Sequence, residues 1–223
     1  MDGLLMRKLA AHSLFLATIA LAATIARDAP AAEPVVLVPH DPSAFDTTML
    51  VSNACSKCHG ASGISISPIF PNLAGQQKTY IDAQLKLFRQ RERSDPHARA
   101  FMWGIAQDLN DDQIEGLAQY FASQRPARGT ASRNSAMAQK GKSIYENGVT
   151  EHGVIACMTC HGPNAEGQAD NAFPRLAGQH RDYLMLQLQY FHALLRENAV
   201  MQGVGASLTN DEIAAVAEYL ASK

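Results

Sequence analysis

The feature that most restricts this chain is the placement of its four cysteines, which occur as Cys55-Ser56-Lys57-Cys58-His59 and Cys157-Met158-Thr159-Cys160-His161. Each run is a C-x-x-C-H pattern. Thiols three positions apart both reach the vinyl groups of one porphyrin, and the histidine that follows swings beneath the ring to ligate iron. A redox dithiol or half of a zinc site also uses paired cysteines, but neither accounts for a histidine directly after both second cysteines. The pattern therefore predicts two covalently bound haem c groups, with thioethers at Cys55, Cys58, Cys157 and Cys160 and axial iron ligation by His59 and His161.

An internal repeat accompanies the motifs. Pro71-Asn72-Leu73-Ala74-Gly75-Gln76 recurs as Pro174-Arg175-Leu176-Ala177-Gly178-Gln179 at an offset of 103, close to the 102 that separates the cysteine motifs. Tyr80, Leu85 and Phe88 recur in that register as Tyr183, Leu188 and Phe191. Near the end of each half, Met102, Leu109, Ile114, Leu117, Tyr120 and Ala122 recur as Met201, Leu208, Ile213, Val216, Tyr219 and Ala221, at an offset of 99. The repeat predicts two tandem domains, 32–123 and 136–223. A linker at 124–135, with three arginines, Pro, Gly, Ser and Thr but no apolar period, joins them.

Within each half the pattern is helical. Ile81, Leu85 and Phe88 share one helix face, as do Leu184, Leu188, Phe191 and Leu195. The last helix of each half carries a start signal: Asn110-x-x-Gln113 and Thr209-x-x-Glu212 fit capping boxes, and Leu109 with Ile114, or Leu208 with Ile213, fits a hydrophobic staple. From there Ile114, Leu117, Ala118 and Phe121, or Ile213, Val216, Ala217 and Leu220, form one apolar stripe. No segment alternates over strand length, so the expected fold is all-α: two tandem helical domains, each wrapped around one haem. A domain of about ninety residues is near the lower limit for an independent core, so the porphyrin itself becomes part of the core.

The N-terminal segment reads as an export signal. Arg7 and Lys8 precede an uncharged run from Leu9 to Ala26, and Ala29-Pro30-Ala31 offers a small-x-small cleavage site, making residues 1–31 a signal peptide. The alternative is an uncleaved anchor, since 18 residues is about the minimum bilayer span. A formal charge of −2 over 223 residues leaves no basic excess for nucleic-acid binding.

The sixth iron position separates an electron carrier from a metal-centred enzyme. Beyond the signal, only Met102 and Met201 match between halves, each seven residues before the leucine that precedes the last helix, so they are the candidate distal ligands. His97 and His192 compete for that role but have no histidine counterpart in the other half. The carbonyls of Pro71 and Pro174 are candidate acceptors for the axial histidine Nδ1–H, an orienting bond that raises electron donation to iron. Tyr80 and Tyr183 are candidate partners for the haem propionates. Residues 32–123 carry 7 basic and 10 acidic side chains, and 124–223 carry 9 and 9. The more negative first half predicts the lower potential for the first haem.

These residues resemble the dihaem cytochrome c4 family, in which two C-x-x-C-H domains, a Phe-Pro-x-Leu-Ala-Gly-Gln segment (173–179, with its counterpart Phe70 to Gln76) and a methionine ahead of each last helix occur together. The resemblance covers about residues 44–222; Ser65 to Ile69 and Arg89 to Ala100 depart most from the pattern. It implies two cytochrome c folds related by a pseudo-twofold axis, in the periplasm of a Gram-negative bacterium, soluble or loosely membrane-associated. By the same resemblance the protein carries electrons between redox protein partners, for example from a cytochrome bc complex to a terminal oxidase, and is not an enzyme. Two readings stand beside it: a dedicated cytochrome subunit of a periplasmic dehydrogenase or reductase, and a dihaem enzyme with one open iron site.

Overall fold

The computed structural model describes residues 42–171 and 173–223. The expected export segment, 1–31, lies outside them. In the first half, helix α1 (Pro42–Leu50) passes through a wide π turn (Val51–Cys55) into α2 (Ser56–His59). Helix α3 (Lys78–Arg89), a second π turn (Ala98–Met102) running into α4 (Trp103–Ala106), and α5 (Asp111–Ser123) follow. The second half repeats the order with α6 (Ser135–Asn147), α7 (Met158–His161), α8 (Arg181–His192), α9 (Ala199–Ser207) and α10 (Asn210–Ala221). Among the described residues there is no strand, only two isolated bridges, Val149 to Val154 and Gln168 to Phe173. None of the described helices is long and apolar enough to cross a membrane.

Both last helices start where their side chains satisfy the orphan amides of a first turn. Gln113 N–H donates to the Asn110 side chain (2.8 Å) while Asn110 N–H donates to the Gln113 side chain (3.0 Å). Thr209 and Glu212 form the same reciprocal box. Acidic residues in both first turns, Asp111 and Asp112 or Asp211 and Glu212, complement the helix dipole. The stripes then bury Ile114, Leu117, Ala118 and Phe121 in one half and Ile213, Val216, Ala217 and Leu220 in the other.

Two separate cores result. The first gathers Val51, Ile81, Phe88 and the α5 stripe; the second gathers Ile144, Tyr145, Val154, Leu184 and the α10 stripe. Helix α10 packs on α6 and α8, as α5 packs on α1 and α3. The α6–α10 crossing is close enough that a Cβ on Gly141 would overlap the Ala215 carbonyl.

Leu195 departs from its expected place on the α8 stripe. The helix stops at His192, because Leu194 turns into the left-handed region (φ 59°) and Leu195 N–H folds back to the Tyr190 carbonyl (2.8 Å). Leu195 is therefore exposed. The segment between α5 and α6 is tied down: Thr130 N–H donates to the Ala221 carbonyl, and the Ser132 hydroxyl donates to Glu218 (2.6 Å).

Candidate functional site

A single cavity of about 620 Å³ takes its walls from both halves. Cys55, Cys58, His59, Pro71, Tyr80 and Met102 line it from the first half, and Cys157, Cys160, His161, Pro174, Tyr183 and Met201 from the second. The short turns α2 and α7 explain the cysteine spacing, since residues three apart in a helical turn share a face. His59 and His161 close those turns and are buried. His59 Nδ1 lies 2.9 Å from the Pro71 carbonyl, and His161 Nδ1 lies 3.0 Å from the Pro174 carbonyl. A carbonyl only accepts, so each Nδ1 is the protonated nitrogen and Nε2 keeps its lone pair. Burial lowers both imidazole pKa values, against the pull of the proline carbonyls, which favours the neutral ring that ligates a metal.

Burial pushes the Cys55 and Cys157 thiols up to about 11. Thiols so rarely ionised make a poor redox dithiol. Met102 ends the second π turn and packs on the first core, and Met201 lies in the first turn of α9, whose Asn198 cap accepts from Met201 N–H (2.9 Å). The competing histidines have other partners. His97 Nδ1 bonds the Tyr190 hydroxyl across the interface, and His192 Nδ1–H donates to the Gly205 carbonyl (2.9 Å). His192 is exposed and outside the cavity lining, whereas His97 is part of it.

Between the halves lies a polar cluster built from repeat equivalents that sequence reasoning missed. Arg93 and Arg196 are both buried, and each stacks 4.7 Å over an aromatic ring, Phe88 or Phe191. Arg93 donates to Gln84 and Gln187; Arg196 donates to Gln187, Gln84 and the Tyr80 hydroxyl. Asp95, fully buried, accepts from Arg93 Nε (2.9 Å), but the corresponding position 103 residues on is Asn198, so the second arginine lacks this partner. Burial alone would raise the Tyr80 phenol pKa; the Arg196 and Arg93 guanidiniums overrule it and hold the group below its ordinary value. The missed signal was polar: Gln84 with Gln187 and Arg93 with Arg196 repeat at the same offset of 103 as the proline motif.

Two buried guanidiniums facing one carboxylate call for further anions. Among the described residues, Arg175 Nε and Gln187 Nε2 are buried without a partner, and both residues line the cavity. An apolar cavity with paired thiols and neutral imidazoles, edged by unfilled donors, fits a porphyrin with acidic side arms.

Fold and site together define a c-type cytochrome with two haem domains in tandem. The family model for cytochrome c matches residues 48–125 and again 138–223. Cytochrome c4 of Thiocapsa roseopersicina is 41% identical over 184 residues, covering 81% of this chain and 91% of the relative. The solved cytochrome c4 of Acidithiobacillus ferrooxidans superposes with a TM-score of 0.71 at 38% identity, covering 80% of this chain and 99% of that one. A thiosulfate dehydrogenase electron acceptor from Thiomonas intermedia is 33% identical, covering 76% of this chain and 78% of the relative. The chain belongs to the cytochrome c4 family, carries two covalently bound haem c groups and transfers electrons between redox protein partners.

Proposed function

We infer that the protein is a periplasmic electron shuttle, exported by the segment 1–31, in which domains 32–123 and 136–223 each hold one haem and 124–135 links them. Cys55 and Cys58, or Cys157 and Cys160, form the thioethers. His59 with Met102, and His161 with Met201, would ligate the two haem irons. When bound, the haems supply the redox chemistry, each iron taking up and releasing one electron. The residues do the rest. Pro71 and Pro174 orient the imidazoles of His59 and His161, Met102 and Met201 would keep the irons closed to outside ligands, and the apolar walls exclude water. Tyr80, Tyr183, Arg93 and Arg196 would hold the acidic side arms of the haems by hydrogen bonding and charge. The observation that carries this reading is the matched placement of a buried histidine and a methionine on the lining of one cavity, once in each half.

Carbon monoxide added to the dithionite-reduced holoprotein tests it. Closed methionine ligation leaves the visible spectrum unchanged; rapid binding at one haem overturns the shuttle in favour of an enzyme with an open site. The physiological chain we infer runs from a cytochrome bc complex to a terminal oxidase. A second reading, that the donor is a thiosulfate-oxidising dehydrogenase, is supported by the likeness to a thiosulfate dehydrogenase electron acceptor. Stopped-flow reduction of the oxidised protein by each purified donor distinguishes the two.

A further inference from the structure

The glutamines of the repeated Leu-Ala-Gly-Gln motif have no role in the reading above, yet they form a joint between the halves. Gln179 Oε1 accepts from Asn72 N–H (2.8 Å) while its Nε2 donates to the Asn72 carbonyl (2.9 Å). Gln76 does the same to Arg175: Oε1 accepts from the N–H (2.7 Å) and Nε2 donates to the carbonyl (2.9 Å). Each side-chain amide thus clamps both backbone polar groups of one residue in the opposite half. Both glutamines are buried.

The clamped residues directly follow Pro71 and Pro174. The N–H of Asn72 and the carbonyl of Pro71 belong to one planar peptide group, so a bond at one end fixes the direction of the other. That carbonyl is the acceptor 2.9 Å from His59 Nδ1. The acceptor on Asn72 N–H also polarises the peptide and makes its carbonyl a stronger acceptor. A stronger bond at Nδ1 makes the imidazole a better donor to iron and favours the ferric state. The same chain of contacts runs from Gln76 through the Pro174–Arg175 peptide to His161 Nδ1 (3.0 Å).

We propose that Gln76 and Gln179 are positioning residues for the opposite domain's haem: Gln179 sets the His59–Pro71 bond and Gln76 sets the His161–Pro174 bond, so each domain tunes the potential of the other. The proposal rests on the axial roles of His59 and His161 inferred above.

Gln179→Met and Gln76→Met remove the clamps at nearly constant volume. In a redox titration of the holoprotein followed by NMR, haem methyl signals report each haem separately. The expected result is crossed: Gln179→Met raises the potential of the His59 haem and leaves the His161 haem in place, and Gln76→Met does the reverse. Thr79→Val is the control, because it deletes another bond between the halves, Thr79 Oγ1 to the Ala169 carbonyl (2.7 Å), without touching a proline peptide; it should move neither potential. No shift, a shift of the variant's own haem, equal shifts of both, or the same shift in the control overturns the proposal. Should a variant fail to fold, hydrogen exchange in the unaltered holoprotein decides. The Asn72 amide and the His59 Nδ1 proton should show equal protection, and a histidine proton exchanging freely behind a protected amide overturns the clamp. The displaced methionine methyl signals in the same spectra report the distal ligands independently. Their absence would remove Met102 and Met201 from the site while leaving the crossed shift readable.

Discussion

Arg91 and Leu194 occupy the same point of the repeat, just beyond the ends of α3 and α8, and both adopt a left-handed backbone, at φ 61° and 59°. Each terminates its helix with the same pair of bonds, Arg91 N–H to the Phe88 carbonyl and Glu92 N–H to Leu87, or Leu194 N–H to Phe191 and Leu195 N–H to Tyr190. Glycine is the residue that takes this conformation without strain. Leu194 is 63% exposed and contributes little packing, so Leu194→Gly should stabilise the fold by about 1 kcal/mol in chemical denaturation of the holoprotein. Arg91 also lies 5.5 Å over the Trp103 ring, so Arg91→Gly should gain less. Asp95 is a fully buried carboxylate whose repeat equivalent, Asn198, carries no charge. Its carboxylate accepts from Arg93 Nε and from Ala98 N–H (3.1 Å) in a fully buried position. Asp95→Asn should raise the potential of the first haem, by on the order of tens of millivolts, and narrow the gap to the second in a spectroelectrochemical titration.

At the scale of elements, the α6–α10 crossing depends on Gly141 having no side chain. Gly141→Ala should cost about 1–3 kcal/mol by forcing these helices apart, seen as a lower midpoint for the second domain. Glu218 fastens the start of α6 to α10. The Ser132 hydroxyl and Arg133 N–H, with the Arg181 guanidinium at 2.8 Å, hold its carboxyl below the ordinary value of 4.5. A depressed folded value means stability that is present above pH 4.5 and lost as pH falls through the lower folded value. Glu218→Gln should therefore lower stability at neutral pH and flatten its decline on acidification, measured as denaturation midpoints across that range. What was legible in the sequence follows the same division between local and remote. The capping boxes at Asn110 and Thr209 and the stripes behind them could be read directly, because a cap and a helical period are set by residues within a few positions. The end of α8 could not be read, because it rests on a leucine in a glycine conformation. Arg93, Gln84 and their equivalents escaped notice because the bonds that make them one cluster, Arg93 to Gln187 and Arg196 to Gln84, join residues 94 and 112 positions apart, where only the repeat register connects them.

For the whole molecule, separate cores set the response to haem loss. A chain with Cys55→Ala and Cys58→Ala should lose amide protection throughout the first half while α6 and α10 stay protected, since the cavity wall of one half is not the core of the other. The acidic excess of the first half and the buried Asp95 act in one direction, so the first haem should titrate at the lower potential of the two. Salt should narrow the gap only in part, because surface charge is screened and Asp95 is not. The reciprocal clamps are the kind of contact a homodimer makes across its twofold axis. Each grips main chain, so the gripped side chain is free to be asparagine on one side and arginine on the other. A duplicated gene whose copies meet in this way can drift apart in sequence, and in the work each copy does, without coming apart as a structure.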